Sequence, residues 1–505
     1  MLSLILPLFV ASFSGCSTSE QPPKQPNILL AISDDQSYIH AGIYGYAPVR
    51  TPNLDQLARE GILFNNAFTA SPMCTVARAA LLTGRYPWQN GEAGQHWSHF
   101  PGALKTYPDL LGAAGYQVGY TGKCWGPGNW EITGRTQNPG GSAYNDIKLA
   151  SKPASGINDS DYAANFKKFL EDKPEGKPFC FWYGASEPHG PYEKGSGRKA
   201  GYDTSGWELT PNFINRSASV KEDLLDYFLE IEWFDTQLGR IIEHLKESGE
   251  YENTLIVVTA DNGSPLPGAK GDLFDLGTHV PMVVVWPGKT KPGRVVDALV
   301  SQVDLAPLFI EAAGLPAHAA MSGKSILDLI LDSGITSHHE YNLAAQEKSS
   351  HNRNDHLGYP MRSIRDDEWL YIRNLKPDRR PKRDPVLEED PGSDPWNEFR
   401  PPEHLYHLTT DYACLNNLAD DEQYDGQKQR LIREMEKILT QQQDARMLGY
   451  GDMYESFPRY GPFKPELQGF DRRGEYNPDY LIEIPDEVFV SELYHKALKA
   501  KLAEQ

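Results

Sequence analysis

Asn27-Ile28-Leu29-Leu30-Ala31-Ile32-Ser33-Asp34-Asp35 is the stretch on which the fold turns. Five apolar residues follow one another without the polar alternation of a half-exposed strand. A strand that is apolar on both parities is covered on both faces, the habit of parallel strands flanked by helices. The run then ends on two carboxylates. In open α/β sheets, ligands bind in the crevice outside the carboxyl ends of the strands.

Working outward, short apolar runs alternate with helical patterns. Thr51-Pro52-Asn53-Leu54 opens a helix with a polar cap and Pro at its first position, and Gly61 closes it. Gly115 to Tyr120, Pro178 to Tyr183, Leu255 to Val258 and Pro281 to Trp286 read as further strands. Ser219 and Glu222 predict a capping box ahead of a long helix whose apolar face runs from Leu224 to Leu245. Asp304 to Gly314 is another helix. The predicted fold is α/β: a large, central, mostly parallel sheet flanked by helices, with a smaller C-terminal α+β subdomain. The boundary is placed at the composition shift after Lys376, so that 27–375 form the main domain and 376–505 the subdomain. The latter holds Leu405 to Leu408, an Asn416-Asn417 turn, a helix from Gln427 and an irregular surface wrap from Gly449 to Pro485.

The chain has 505 residues, 39% of them apolar, and its 26 Tyr, 19 Phe and 10 Trp supply ample core. Its net charge of −20 argues against a nucleic-acid binder, which needs a basic face. An anionic substrate would have to be met by a local cationic pocket. Residues 1–16 read as an export signal: a short apolar run from Leu2 to Phe13 leads to Ser14-Gly15-Cys16, similar to the lipobox of bacterial lipoproteins. Cys16 is then the expected lipid anchor, 17–26 a tether, and the location the periplasm, outer membrane or cell surface. The other cysteines are Cys74, Cys124, Cys180 and Cys414, too few for a disulfide scaffold.

Two oxygen-donor pairs, Asp34-Asp35 and Asp261-Asn262, each follow a strand. Together they suit a hard cation such as Ca²⁺. Cys74 begins a helical stretch, and Arg78 stands one turn on along the same face. A helix N-terminus beside a guanidinium favours anions and is expected to lower a thiol pKa.

Asn27 to Asp35, Cys74 to Arg85, Gly122-Lys123, Glu187-Pro188-His189 and Asp261-Asn262-Gly263 together resemble the type I sulfatases of the alkaline phosphatase superfamily. The closer similarity is to heparan N-sulfatases (sulfamidases), through Asn90-Gly91, His96, His99 and Phe100, the Gly358 to Ser363 stretch, and the spacing of Asp261 to Lys270. The resemblance implies that a formylglycine-generating enzyme oxidises Cys74 to formylglycine, whose hydrate is the nucleophile on sulfur. It implies Ca²⁺ on Asp34, Asp35, Asp261, Asn262 and modified Cys74. Arg78 would steady the formylglycine. Lys123, His189 and Lys270 would face the sulfate, with His189 as general acid. The implied substrate is a sulfated saccharide, N-sulfoglucosamine of heparan or heparin first, an O-sulfated glycan next. A phosphodiesterase or phosphonate hydrolase of the same superfamily, or a non-catalytic binder of sulfated glycans, are the alternatives.

Two residues depart from the family pattern. Val76 stands where Pro or Ala usually follows the Cys by two, and Trp125 where a His follows the Lys by two. His96 and His99 are candidates to replace that imidazole or to touch the glycan. A polar loop with Lys348, His351, Arg353 and His356 is a further candidate for gripping sugar carboxylate or hydroxyl groups.

Overall fold

In a computed structural model the described residues are 25–46, 48–205, 218–348, 353–381, 398–462 and 469–504. The expected export signal, most of the tether, Cys16 and His351 lie outside them.

Eight strands form the main sheet, in the order β5 (Ser142–Ala143), β4 (Gln117–Gly122), β6 (Phe179–Gly184), β1 (Asn27–Ser33), β7 (Thr254–Ala260), β8 (Met282–Val285), β2 (Ile62–Phe64) and β9 (Arg294–Val296). Neighbours run parallel except at β8, which is antiparallel to both β7 and β2. A short parallel pair, β3 (Ala67–Phe68) with β10 (Val300–Ser301), lies beside it. The expected mostly parallel sheet is therefore present.

The alternation along β1 explains the two-sided burial. Ile28, Leu30 and Ile32 enter one core with the helices Cys74–Thr83, Tyr107–Ala113 and Leu305–Ala312. Leu29 and Ala31 enter the other with the helices Pro52–Glu60, Tyr162–Asp172 and Ala218–Glu247. Each aliphatic side chain so enclosed contributes about 1.5–3 kcal/mol.

The two expected helix boundaries fare differently. Gly61 closes the helix Pro52–Glu60 as expected, with a φ of −134° that lies outside the left-handed region. It is small because a Cβ there would lie 2.3 Å from the carbonyl oxygen of Val284. In the long helix, described over Ala218–Glu247, Ser219 is already helical and so is not the cap, and Glu222 instead pairs with Arg198.

A second, antiparallel sheet has the order β11 (Asn342–Gln346), β12 (Met361–Arg365), β13 (Trp369–Asn374) and β14 (Glu403–His407). Residue 376 thus falls between its third and fourth strands. The helix Asp425–Gln441 packs on it through Leu431, Met435 and Leu439. From 449 to 485 the described residues are largely irregular, with a short helix at Met453–Ser456 and a turn at Pro478–Tyr480, and the helix Glu492–Glu504 follows. Among the described residues all four cysteines are free, and no helix is long and apolar enough to cross a membrane.

Candidate active site

Four adjacent parallel strands end level with one another. The pairings Gly122 with Gly184, Ile32 with Gly184, and Ile32 with Thr259 place the carboxyl ends of β4, β6, β1 and β7 side by side. The next residues are Lys123 after β4, Glu187 to His189 after β6, Asp34-Asp35 after β1, and Asp261-Asn262 after β7. The parallel register thus gathers residues far apart in sequence into one crevice. Glycine is required where β4 and β6 meet: a Cβ on Gly122 would fall 2.0 Å from the Gly184 oxygen, and one on Gly184 1.8 Å from the Lys123 oxygen.

Around the crevice the charges interlock. Arg78, one turn into the helix Cys74–Thr83, donates from Nε to Asp261 Oδ2 at 2.8 Å and lies 3.8 Å from Asp34 Oδ1. Its Nη1 donates to the Lys123 and Cys124 carbonyls. Lys123 pairs with Asp34 Oδ2, and Lys270 donates to Asp35 Oδ2 at 2.7 Å. His189 Nε2 lies 3.7 Å from the same Asp35 oxygen, and its Nδ1 is 2.6 Å from the Gly190 carbonyl. Asp35 takes a left-handed φ of 73°, which directs its N–H to Asp261 Oδ1 at 3.0 Å. The carboxylates are sealed, whereas the side chains of Lys123 and Lys270 are 22% and 16% exposed and that of His189 39%.

These contacts set the ionisation. Burial alone would raise Asp34, but Lys123 and Arg78 hold it far below the usual carboxylate range. Asp261 is pushed up by burial and by the facing Asp34 charge. Burial opposes the charge on Lys123 and Lys270, yet Asp34 and Asp35 respectively keep both ammonium groups above their ordinary range. His189 is lowered, by Lys270 first and burial second. The expected low thiol pKa is not found: burial pushes Cys74 up, and Asp34 and Asp261 add to it against Lys123 and Lys270.

The donor set fits a hard divalent cation. One ligand atom each of Asp34, Cys74 and Asp261 lies within 4.8 Å of the others. Asp34 Oδ1 and Asn262 Oδ1 are buried and accept no hydrogen bond among the described residues. Three carboxylates face three fixed cations, Arg78, Lys123 and Lys270, so the site sums to zero. A divalent ion would leave it at about +2, the sign an anionic substrate needs.

Residues 26–315 match the Sulfatase family. An ulvan-active sulfatase of Formosa agariphila is 30% identical over 436 residues, which cover 83% of this chain and 81% of that one. The chain belongs to the sulfatase family. It is accordingly a hydrolase of sulfate esters or sulfamates. Residues 270–378 of this sulfatase also match the family of N-sulphoglucosamine sulphohydrolase C-terminal regions. The human N-sulphoglucosamine sulphohydrolase is 29% identical over 390 residues, 69% of this chain and 73% of that one. A protein solved in complex with its substrate D-glucosamine-2-N,6-O-disulfate shares the fold, with a TM-score of 0.62 at 19% identity over 83% of this chain and 98% of that one.

The outer candidates are placed differently. Trp125 is core, packed edge-on against Phe100 with centroids 5.2 Å apart. His99 is fully enclosed, its Nε2 3.2 Å from Ser491 Oγ and 3.8 Å from Glu92, and so presents no face to a sugar. His96 is buried beside Trp97, and its N–H donates to the Lys348 carbonyl at 3.3 Å. The segment that reads as a polar loop is partly interior. Lys348 is buried, its ammonium donating to the Glu455 carbonyl at 2.8 Å. Arg353 donates to the Arg380 carbonyl and stacks on Tyr359. Buried His356 lines a small cavity with Lys348, Arg459, Arg472 and Asn477.

Sequence reading passed over the residues that hold the site in shape. Tyr227 OH donates to the Asp35 carbonyl at 3.1 Å, Trp182 Nε1 to the Lys123 carbonyl at 3.1 Å, and Asn145 Oδ1 accepts the Gly122 N–H. Tyr227 and Trp182 sit in apolar patterns that read as core, and nothing local marks their polar tips.

Proposed function

We propose that this sulfatase removes sulfate from a sulfated saccharide, with the N-sulfate of glucosamine as its first substrate. The observation that carries the catalytic reading is the meeting of Cys74, Arg78, Lys123, His189 and Lys270 with Asp34, Asp35, Asp261 and Asn262 at four level strand ends. The match of 270–378 and the human relative support the N-sulfated sugar.

Asp34, Asp35, Asp261 and Asn262, with modified Cys74, would hold Ca²⁺, which supplies electrostatic stabilisation of the sulfate charge. Formylglycine, made from Cys74 by a formylglycine-generating enzyme, supplies a hydrated aldehyde in place of an inert buried thiol. Arg78 fixes the residue-74 end of the helix by tying it to Asp261 and to the carbonyls after β4. Lys123 and Lys270 open toward solvent and present ammonium groups to the sulfate oxygens. His189 stands at the mouth. Its Nδ1–H is held by the Gly190 carbonyl, so Nε2 is the atom that carries a proton to the leaving nitrogen or oxygen.

A second reading, an ulvan-type sulfated polysaccharide, is favoured by the Formosa agariphila relative. Free sulfate released from N-sulfoglucosamine, 6-O-sulfated N-acetylglucosamine and ulvan oligosaccharides decides between them. Release from the first alone supports the proposal, and release only from ulvan overturns it. Mass spectrometry of the Cys74 peptide from a host that makes formylglycine tests the nucleophile; thiol alone would remove it. Export as a lipoprotein belongs to the same proposal, and labelled palmitate should be incorporated and then lost in Cys16→Ala.

A further inference from the structure

A second set of metal-type donors meets away from the catalytic strand ends. Asp304 closes the turn Gln302–Asp304 and leads into the helix Leu305–Ala312. Its Oδ2 lies 2.8 Å from His339 Nε2 and 3.5 Å from His338 Nε2. One ligand atom from each of the three residues lies within 4.8 Å of the others. Neighbouring side chains in an extended segment normally point to opposite sides. Here two consecutive imidazoles converge on one carboxylate, their ring centroids 4.3 Å apart, while His339 bridges to Leu299.

The cluster is hydrogen-bonded as well. Asp304 Oδ2 already accepts the Ser301 N–H at 2.8 Å, and Oδ1 accepts the Lys324 N–H at 2.8 Å. His338 Nε2 also lies 3.1 Å from the Lys324 carbonyl. A carbonyl only accepts, so without an ion His338 Nε2 donates its proton to the Lys324 carbonyl and His339 Nε2 donates its proton to Asp304 Oδ2. Release of those two protons frees both Nε2 lone pairs, which with Asp304 Oδ2 lie close enough together to share one ion.

We propose that Asp304, His338 and His339 form a second metal site, for a divalent ion of the zinc class. Two imidazole nitrogens and one carboxylate oxygen suit such an ion better than Ca²⁺, which prefers oxygen throughout. Tetrahedral bonds of about 2.0 Å place ligand atoms roughly 3.3 Å apart, a few tenths of an ångström from the two separations seen. The His339 side chain is 19% exposed, which leaves one side open for water as the fourth ligand. The ion would join three segments: the turn before the helix Leu305–Ala312, the Lys324 stretch, and the 338–339 segment that leads into β11. Its role is to fasten the main sheet's surroundings to the small sheet.

The test uses the full chain with Ca²⁺ in excess and Cys74→Ala as background, so that no thiol competes. Co²⁺ serves as the coloured probe. One equivalent should bind with a visible absorption band, Zn²⁺ should displace it, and Zn²⁺ should raise the melting temperature. In His338→Gln/His339→Gln the Co²⁺ affinity should fall at least about tenfold and the Zn²⁺ shift should vanish, with circular dichroism and Ca²⁺ content unchanged. His339→Gln alone gives the same readout if the double variant does not fold. Equal Co²⁺ binding by parent and variant, or none by the parent at about 100 μM free metal, overturns the proposal.

Discussion

Two buried charge clusters of this sulfatase are built from the same residue types and do opposite things. In the smaller unit, Arg362 donates to Asp444 from Nε at 2.7 Å and from Nη2 at 2.9 Å, and it pairs with Glu347. Arg446 completes the set on Glu347 at 2.7 Å. Two cations meet two anions, and no side-chain atom of these four residues is left without a partner. At the strand ends, Arg78, Lys123 and Lys270 also meet three carboxylates. There, Asp34 Oδ1, Asn262 Oδ1 and Arg78 Nη2 remain buried without a hydrogen-bond partner. Leaving buried polar atoms unpaired costs about 1–3 kcal/mol each, so the second arrangement is tolerable where something else completes it. The closed cluster is a fastening, and the open one is a site.

Breaking the open cluster should cost activity more than stability. Cys74→Ala has the largest expected effect, a loss of sulfate release of about 10⁴-fold or more with an unchanged melting temperature. Retained turnover would exclude the covalent route. Asp261→Asn should follow, losing bound calcium and about 10³-fold in rate. Metal analysis reads the first and sulfate assay the second, and normal calcium content would contradict the ligand assignment. His189→Gln should lose about 10²-fold. It should also change the pH profile. Lys270 and burial hold His189 below its ordinary 6.5, and the acid is the protonated form. The parent's kcat should therefore rise as pH falls through a value under 6.5, and the variant should lack that limb. The closed cluster should give the reverse result, with the smallest effect on turnover. Asp444→Ala leaves buried Arg362 with only Glu347, a carboxylate it already shares with Arg446, which should cost about 3 kcal/mol in denaturant unfolding. The folded enzyme's kcat should stay within a few-fold; a collapse of kcat would show that the two clusters are coupled.

The strand ends were readable in advance because each donor sits directly after an apolar run. Asp34-Asp35 after Ile32-Ser33 and Asp261-Asn262 after Ala260 announce their own positions. The outer candidates were not readable in this way. Lys348 looks like a solvated loop residue, and it is interior only because the wrap after Met453 folds over it and offers the Glu455 carbonyl. His99 is closed off by Ser491, almost four hundred positions later. Trp125 carries no sign of whether it faces a pocket or the core, and Phe100 decides that it is core.

Local composition and periodicity determined the α/β class, the two-sided burial of β1, and which residue types stand at strand ends, because these depend on neighbours only a few positions away. The tertiary structure alone decided that four strands end level, that the Cys74 thiol is raised and not lowered, and that His338 and His339 converge on Asp304. Register, burial and charge balance are sums over residues distant in the chain, and short-range pattern has no access to them.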